Sequence, residues 1–247
     1  MAATAAKLDA LVGQYPMHLY PRLRPFVGND FAIGEDVYVT ISPGKSKKVA
    51  GRLFGRARVL DTAPVAFPDR IKIEYSGGST YHAQPSRLIP QFFRPTPDRP
   101  TGVLVTAETS HYRRLARTQV YAHDIVIEIG CDLGATVEIL SETVGVENAI
   151  GIDKSTDSIA VAKATYPKCQ FIELDIFHSS ADLLALAQNC TKILIDINGN
   201  RLLGAVVDAL NLVLSGCPKL DLVIVKSVEL HKELTKRRVD IDAVGSA

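Results

Sequence analysis

From Ile125 to Lys226 the chain alternates between short runs of β-branched and aliphatic residues and longer stretches of helical periodicity. The runs Ile125–Ile129, Ala149–Ile152, Gln170–Leu174, Lys192–Ile195 and Leu222–Val225 are predicted strands. Between them lie helices over Ala135–Val144, from the Ser155-Thr156-Asp157 cap to Pro167, over Ala181–Gln188 behind Ser180, and over Arg201–Leu214. Antiparallel neighbours can be joined by a two-residue turn, whereas parallel ones need a crossover of about helix length. The alternation therefore predicts an α/β domain: a Rossmann-like, doubly wound parallel sheet with helices on its faces.

Ligands of such sheets bind outside the carboxyl ends of the strands. The residues that end these strands are Glu128, just before its turn, then Asp153, Asp175, Asp196 and Lys226. Any strand can end in a polar residue because the chain reaches solvent there. Four acidic ends in succession fit better with a ligand that offers hydroxyls and positive charge. Asp153 lies near the separation of about 20 residues from the glycine turn at which a ribose-binding acid is expected. The first turn, Gly130-Cys-Asp-Leu-Gly134, is a strand–glycine–helix junction of the kind whose backbone N–H groups face a ligand. Its G-x-x-x-G spacing is not the dinucleotide fingerprint, and Glu128 would repel a pyrophosphate. S-adenosylmethionine, with a sulfonium and an ammonium group, would be welcomed.

The pattern Glu128-x-Gly130-x-x-x-Gly134 resembles motif I of the class I S-adenosylmethionine-dependent methyltransferases, with Asp132 where that family has its middle glycine. The resemblance covers roughly residues 106–235. It implies a cofactor cradle of Glu128, Gly130, Cys131, Asp132 and Gly134. Asp153, followed by Lys154, would take the ribose hydroxyls. Asp175, followed by Ile176, would take the adenine amino group, with Ile152 or Phe177 against the ring. Asp196 would lie at the reactive end. Ile195-Asp-Ile-Asn-Gly-Asn200 lacks the Pro-Pro-aromatic signature of amino methylation on a flipped base. Lys226 stands where metal-dependent relatives carry ligands, so no metal is expected. Asp196 with Lys226, and the run Gly134–Gly145, are similar to the fibrillarin-like RNA ribose 2′-O-methyltransferases. That likeness implies that the pair is catalytic and orients and deprotonates a hydroxyl. The plainer reading is a snorkelling lysine and a helix-capping aspartate.

The front of the chain differs. Residues 1–100 hold 14 Lys/Arg against 8 Asp/Glu, and residues 101–247 hold 14 against 19, so a half of net charge +6 precedes one of −5. Residues 1–30 read as a helical and extended segment. Residues 31–92 carry short strands with glycine turns and are similar to a small SH3-like or Tudor-like barrel. Lys45, Lys47, Lys48, Arg52 and Arg56, interleaved with aromatics, suit RNA, although a solvated loop around an aromatic core accounts for them equally well. Residues 93–105, rich in proline, are expected to be a linker, and residues 106–247 the S-adenosylmethionine-binding domain. Arg113, Arg114 and Arg117 read as surface charges. The antiparallel hairpin that closes a class I sheet has no counterpart after Lys226, which predicts an exposed fifth-strand edge open to a protein partner or a second copy.

Two functions therefore stand. One is a methyltransferase, with RNA ribose as the acceptor and the barrel as docking module. The other is a silent protein of the same fold that serves as an assembly component. No apolar run approaches the ~20 residues of a membrane span. The four cysteines form no C-x-x-C pair and read as reduced thiols, which sets an intracellular expectation.

Overall fold

The computed structural model describes residues 3–7, 31–40, 53–75, 77–90, 92–93, 101–197 and 203–233. All five predicted strands of the second half form, as β8 (Val126–Ile129), β9 (Ala149–Asp153), β10 (Gln170–Glu173), β11 (Lys192–Ile195) and β12 (Leu222–Lys226). They follow β1 (Asp36–Thr40), β2 (Leu53–Asp61), β3 (Ile71–Tyr75), β4 (Thr80–Ala83), β5 (Leu88–Pro90), β6 (Phe92–Phe93) and β7 (Gly102–Thr106). The α-helices with both ends among the described residues are α1 (Thr109–Gln119), α2 (Ala135–Val144), α3 (Thr156–Thr165), α4 (Ser180–Leu186) and α5 (Leu203–Gly216). Ser155 caps α3 as expected, its hydroxyl accepting from Ser158 N at 3.2 Å. Ser180 does not cap α4 but begins it.

The large sheet runs β10-β9-β8-β11-β12-β7-β6. Its first six strands are parallel and β6 is antiparallel. The linker expectation fails for residues 102–105, while residues 94–100 lie outside the described ones. Residues 102–106 pair with β12 from Leu222↔Gly102 to Lys226↔Thr106, and all five are buried. The signal was present as an unbroken apolar run, which is how a strand covered on both faces reads; the nearby prolines masked it. The same pairing removes the expected exposed edge of β12. Strands that precede the glycine turn in sequence fill the sixth and seventh places of the sheet.

Side-chain parity divides the core. Ile127, Ile129, Ile193, Ile195, Val223 and Val225 face one side, against α4 and α5. Val126, Leu194, Leu222, Ile224 and Leu104 face the other, against Tyr112 and Leu115 of α1 and Ile139 and Leu140 of α2. That second cluster continues into the smaller sheet through Phe31, Val37, Val39, Val59, Ile71, Ile73 and Leu88, so the two sheets share one apolar core.

The smaller sheet is antiparallel in the order β4-β3-β2-β1-β5. The predicted return strand from Thr80 to Leu88 breaks at a short 3-10 turn, Pro85–Arg87, which lets β5 pair with β1 instead of extending β4. Among the described residues β4 and β5 do not pair, so the sheet is not closed by hydrogen bonds into the expected barrel. Lys45, Lys47, Lys48 and Arg52 lie outside the described residues, and Arg56 is placed only by its backbone on β2. Arg114 is not a free surface charge. It reaches Glu35 at 2.6 Å in a largely buried pair that ties α1 to the smaller sheet.

At the amino ends of the strands, Lys192 is 4% exposed and lies 3.3 Å from Asp124 and 3.1 Å from Asp221. Asp124 also accepts from the Thr191 hydroxyl and the Tyr121 N–H, each at 2.7 Å. A buried charge is tolerated when its remaining hydrogen-bonding positions are filled in this way.

Candidate functional site

The strand order reverses at β8: the chain builds outward through β9 and β10, then returns to the other side of β8 with β11. A crevice is expected at such a switch point. A cleft of about 410 Å³ opens there, within the usual range for a small-molecule site. Gly130, Asp132, Asp153, Lys154, Asp175, Ile176, Asp196 and Lys226 line it, all anticipated from sequence. Ile152 and Phe177, the two candidates for the adenine face, line it too. Ser158, Ile129, Leu174 and Ile197 were not anticipated; apolar residues at strand ends carry no motif of their own.

The glycine turn is shaped by two tight approaches. A Cβ on Gly130, at φ +81°, would lie 2.3 Å from the Asp196 carbonyl oxygen across the switch point. One on Gly134, at φ +86°, would enter the Phe171 ring. Asp132 takes φ +45°, the left-handed region that the family's glycine occupies freely and that Asp tolerates better than most residues. Its carboxylate accepts from Ser158 at 3.1 Å, and its N–H donates to Asp153 Oδ2 at 3.1 Å.

One expectation fails here. The N–H groups of Gly130 and Cys131 both donate to the Ile152 carbonyl, and that of Gly134 to the Cys131 carbonyl. With the Asp132 N–H also spent, the turn supplies shape rather than an open row of donors. Such a turn suits a cationic or neutral ligand group better than a phosphate.

Glu128, Cys131 and Gly134, assigned to the cradle from sequence, do not line the cleft. Gly134 packs on Phe171. Cys131 is buried beneath the turn, where burial pushes its thiol up and keeps it inert. Glu128 is 2% exposed and points toward α1, where Tyr112 donates to its Oε1 at 3.0 Å. Its Oε2 meets no hydrogen-bond geometry with any described residue, although the Thr136 side chain stands close enough to favour the ionised form. Burial pushes its carboxyl up to about 8; the Tyr112 bond pulls the other way and the nearby Asp196 charge adds to the rise. Glu128 is therefore a neutral acid at pH 7. Tyr112 was not singled out from sequence, since nothing local links it to a residue 16 positions later.

Above Glu128 the same face carries two charged residues. Register places Leu194 beside Glu128 and Ile224 beside Leu194, so Asp196 and Lys226 stand one pleat further along. Lys226 Nζ lies 3.0 and 3.2 Å from the Asp196 oxygens, each side chain less than one-fifth exposed. The pair expected from sequence is formed. On the other flank, Asp153 accepts from Ser155 N at 2.9 Å as well as from Asp132 N, and each oxygen keeps a lone pair for a hydroxyl. Asp175 accepts from Phe177 N at 3.0 Å, with His178 Nδ1 at 3.4 Å from its other oxygen. Among the described residues no cluster of His, Cys, Asp or Glu is arranged to hold a metal ion, and no helix is long and apolar enough to cross a membrane.

Sheet order from β10 to β12 defines a Rossmann-like doubly wound sheet, and with the glycine turn and the acids at successive strand ends it is consistent with the class I S-adenosylmethionine-dependent methyltransferase fold. Comparison with known proteins points the same way. A segment of 68 residues is 37% identical to the 235L protein of Invertebrate iridescent virus 6, named as a methyltransferase, and covers 28% of this chain and 26% of that protein. Over 62 residues the chain is 37% identical to trans-aconitate 2-methyltransferase of Escherichia coli O157:H7, covering 25% of each. The chain thus spans about a quarter of the length of the curated relatives it matches. No family model matches the sequence. Among solved structures, the plantazolicin methyltransferase BpumL in complex with SAH overlaps 47% of this chain and 42% of its own, at 25% identity and a TM-score of 0.33. Overlap that partial defines no fold by itself; the strand order defines a Rossmann-like sheet.

Proposed function

We propose that this protein binds S-adenosylmethionine in the cleft and methylates a hydroxyl group, with an RNA ribose as the acceptor. The observation that carries the reading is the series Asp153, Asp175 and Asp196, one acid at the end of each of three parallel strands, all lining one cleft. The residues fit the cofactor. Asp153 has lone pairs for two ribose hydroxyls, and Ile152, Ile176 and Phe177 offer apolar surface for a purine. When bound, S-adenosylmethionine supplies an electrophilic methyl group on a sulfonium.

The chain's own part is to hold and deprotonate the acceptor. Asp196 accepts the proton of an incoming hydroxyl, and Lys226, bonded to both its oxygens, fixes the carboxylate's orientation and offsets its charge. RNA as the acceptor is supported by the Asp–Lys pairing and by the net charge of +6 on residues 1–100.

Isothermal titration of wild type and Asp153→Ala with S-adenosylmethionine tests the binding step. Heat from wild type, lost in the variant, is expected; no heat from wild type ends the reading. Transfer of a labelled methyl group to an RNA pool tests the acceptor. Binding without transfer to any RNA or protein pool would favour the silent, assembly role instead.

A further inference from the structure

We propose that Tyr81, flanked by Tyr75 and Arg87, is a stacking site for an unpaired base of single-stranded RNA on the smaller sheet. It rests on the reading of RNA as the acceptor and adds where the strand is held; none of these residues lines the cleft. Register brings the rings together. Tyr81 stands opposite Ile73 across β3 and β4, and Tyr75 follows Ile73 by two, so all of them share one face. Further in, that face is core: Ile71, Ile73 and Ala83 are fully buried. Toward the hairpin its cover gives out. Tyr75 is half-buried at the margin of the apolar cluster, and Tyr81 is 42% exposed. Arg87 closes the group from the 3-10 turn. Its Nη1 donates to the Tyr81 hydroxyl at 3.4 Å, and its guanidinium carbon lies 5.9 Å from the ring centroid. Tyr75 senses both neighbours: burial raises its phenol most, Arg87 draws it down and Tyr81 lifts it.

Phenol rings left at a sheet margin can take a methylated ammonium or a nucleobase, since both seek a π face. The charge beside them decides. Arg87 already holds the cation's place over the Tyr81 ring, and a second cation there would be repelled. A base, by contrast, stacks on a tyrosine and comes with a phosphate that an arginine attracts. Nothing acidic opposes it nearby in sequence. Gly77 to Pro90 contains no Asp or Glu, while Ser79 and Thr80, both exposed, add hydroxyl donors. The place is also open: among the described residues β4 is the last strand of its sheet, so no further strand covers Tyr81 from that side. Unpaired bases rather than duplex are implied, because only a base freed from its own stack can lie on a ring.

The chain has no tryptophan, so Tyr81→Trp places a single reporter at the site in the full chain. Titrated with an oligouridine of about 12 nucleotides, its emission should be quenched as bases stack, at an affinity equal to wild type or tighter. In fluorescence anisotropy with the same strand labelled, Tyr81→Ala should weaken binding about tenfold and Tyr81→Phe by less than about twofold, because the ring face rather than the hydroxyl holds the base. Arg87→Met should weaken binding and flatten its salt dependence by about one phosphate contact. Tyr81→Phe and Tyr81→Trp keep a ring in place, so the test stands even where Tyr81→Ala fails to fold. Wild-type affinity in Tyr81→Ala, or an unquenched tryptophan in a protein that binds the strand, overturns the site while leaving RNA as the acceptor. A wild type that binds S-adenosylmethionine but no single-stranded RNA overturns both the site and the RNA reading. Quenching by a trimethyl-lysine peptide, with none by RNA, overturns the site in favour of a methylammonium one.

Discussion

A neutral carboxyl buried under a cleft leaves a signature in stability that does not depend on any ligand. Glu128 titrates near 8 in the folded chain, against an ordinary value of 4.5. The folded state therefore holds a proton that the unfolded state has released, and stability must fall as pH rises through that interval. At pH 5 the unfolded carboxyl is already largely ionised, while the folded one stays protonated until about pH 8. Each unit of that window costs about 1.4 kcal/mol, so this residue alone should remove about 3 kcal/mol of stability between pH 5 and pH 8. Glu128→Gln keeps an oxygen for the Tyr112 hydroxyl and cannot ionise. Urea unfolding of both proteins, followed by circular dichroism at several pH values, isolates the effect as a difference of slopes. The variant should lose about 3 kcal/mol less than wild type from pH 5 to pH 8 and should bind S-adenosylmethionine more weakly. A gain in stability joined to a loss of binding is what an uncompensated functional acid implies. Parallel pH curves would mean that Glu128 is already ionised in the fold, and the electrostatic reasoning would be wrong.

Gly130→Ala forces a Cβ into a left-handed backbone and against the Asp196 carbonyl at 2.3 Å; a loss of about 3 kcal/mol in urea unfolding is expected, and a change under 1 kcal/mol would refute the tight approach. Lys192→Met leaves Asp124 buried without its cation and should cost about 3 kcal/mol, lowering the melting temperature by roughly 10 °C. A neutral result there would mean that the Thr191 and Tyr121 hydrogen bonds suffice. Asp196→Asn should slow methyl transfer by about 100-fold or more while S-adenosylmethionine affinity stays within about twofold; an equal loss in both would place Asp196 in binding rather than proton transfer.

Much of this molecule could be read one segment at a time. Period-2 and helical patterns are local, so Ile127, Ile193 and Val223 announce their strands wherever they pack. Because ligands of parallel sheets sit at carboxyl ends, Asp153, Asp175, Asp196 and Lys226 could be placed on one rim from topology alone, and they line one cleft. Tertiary structure decided what depends on neighbours distant in sequence. Strand β7 became the sixth parallel strand because β12 offered an unpaired edge more than 100 positions later, a pairing that no local pattern encodes. Glu128 belonged to the motif, but whether its carboxyl would meet the cleft or turn inward depended on which helix covered that face. Helix α1 brings Tyr112 against it and excludes water, and that desolvation, rather than the residue type, makes it a neutral acid.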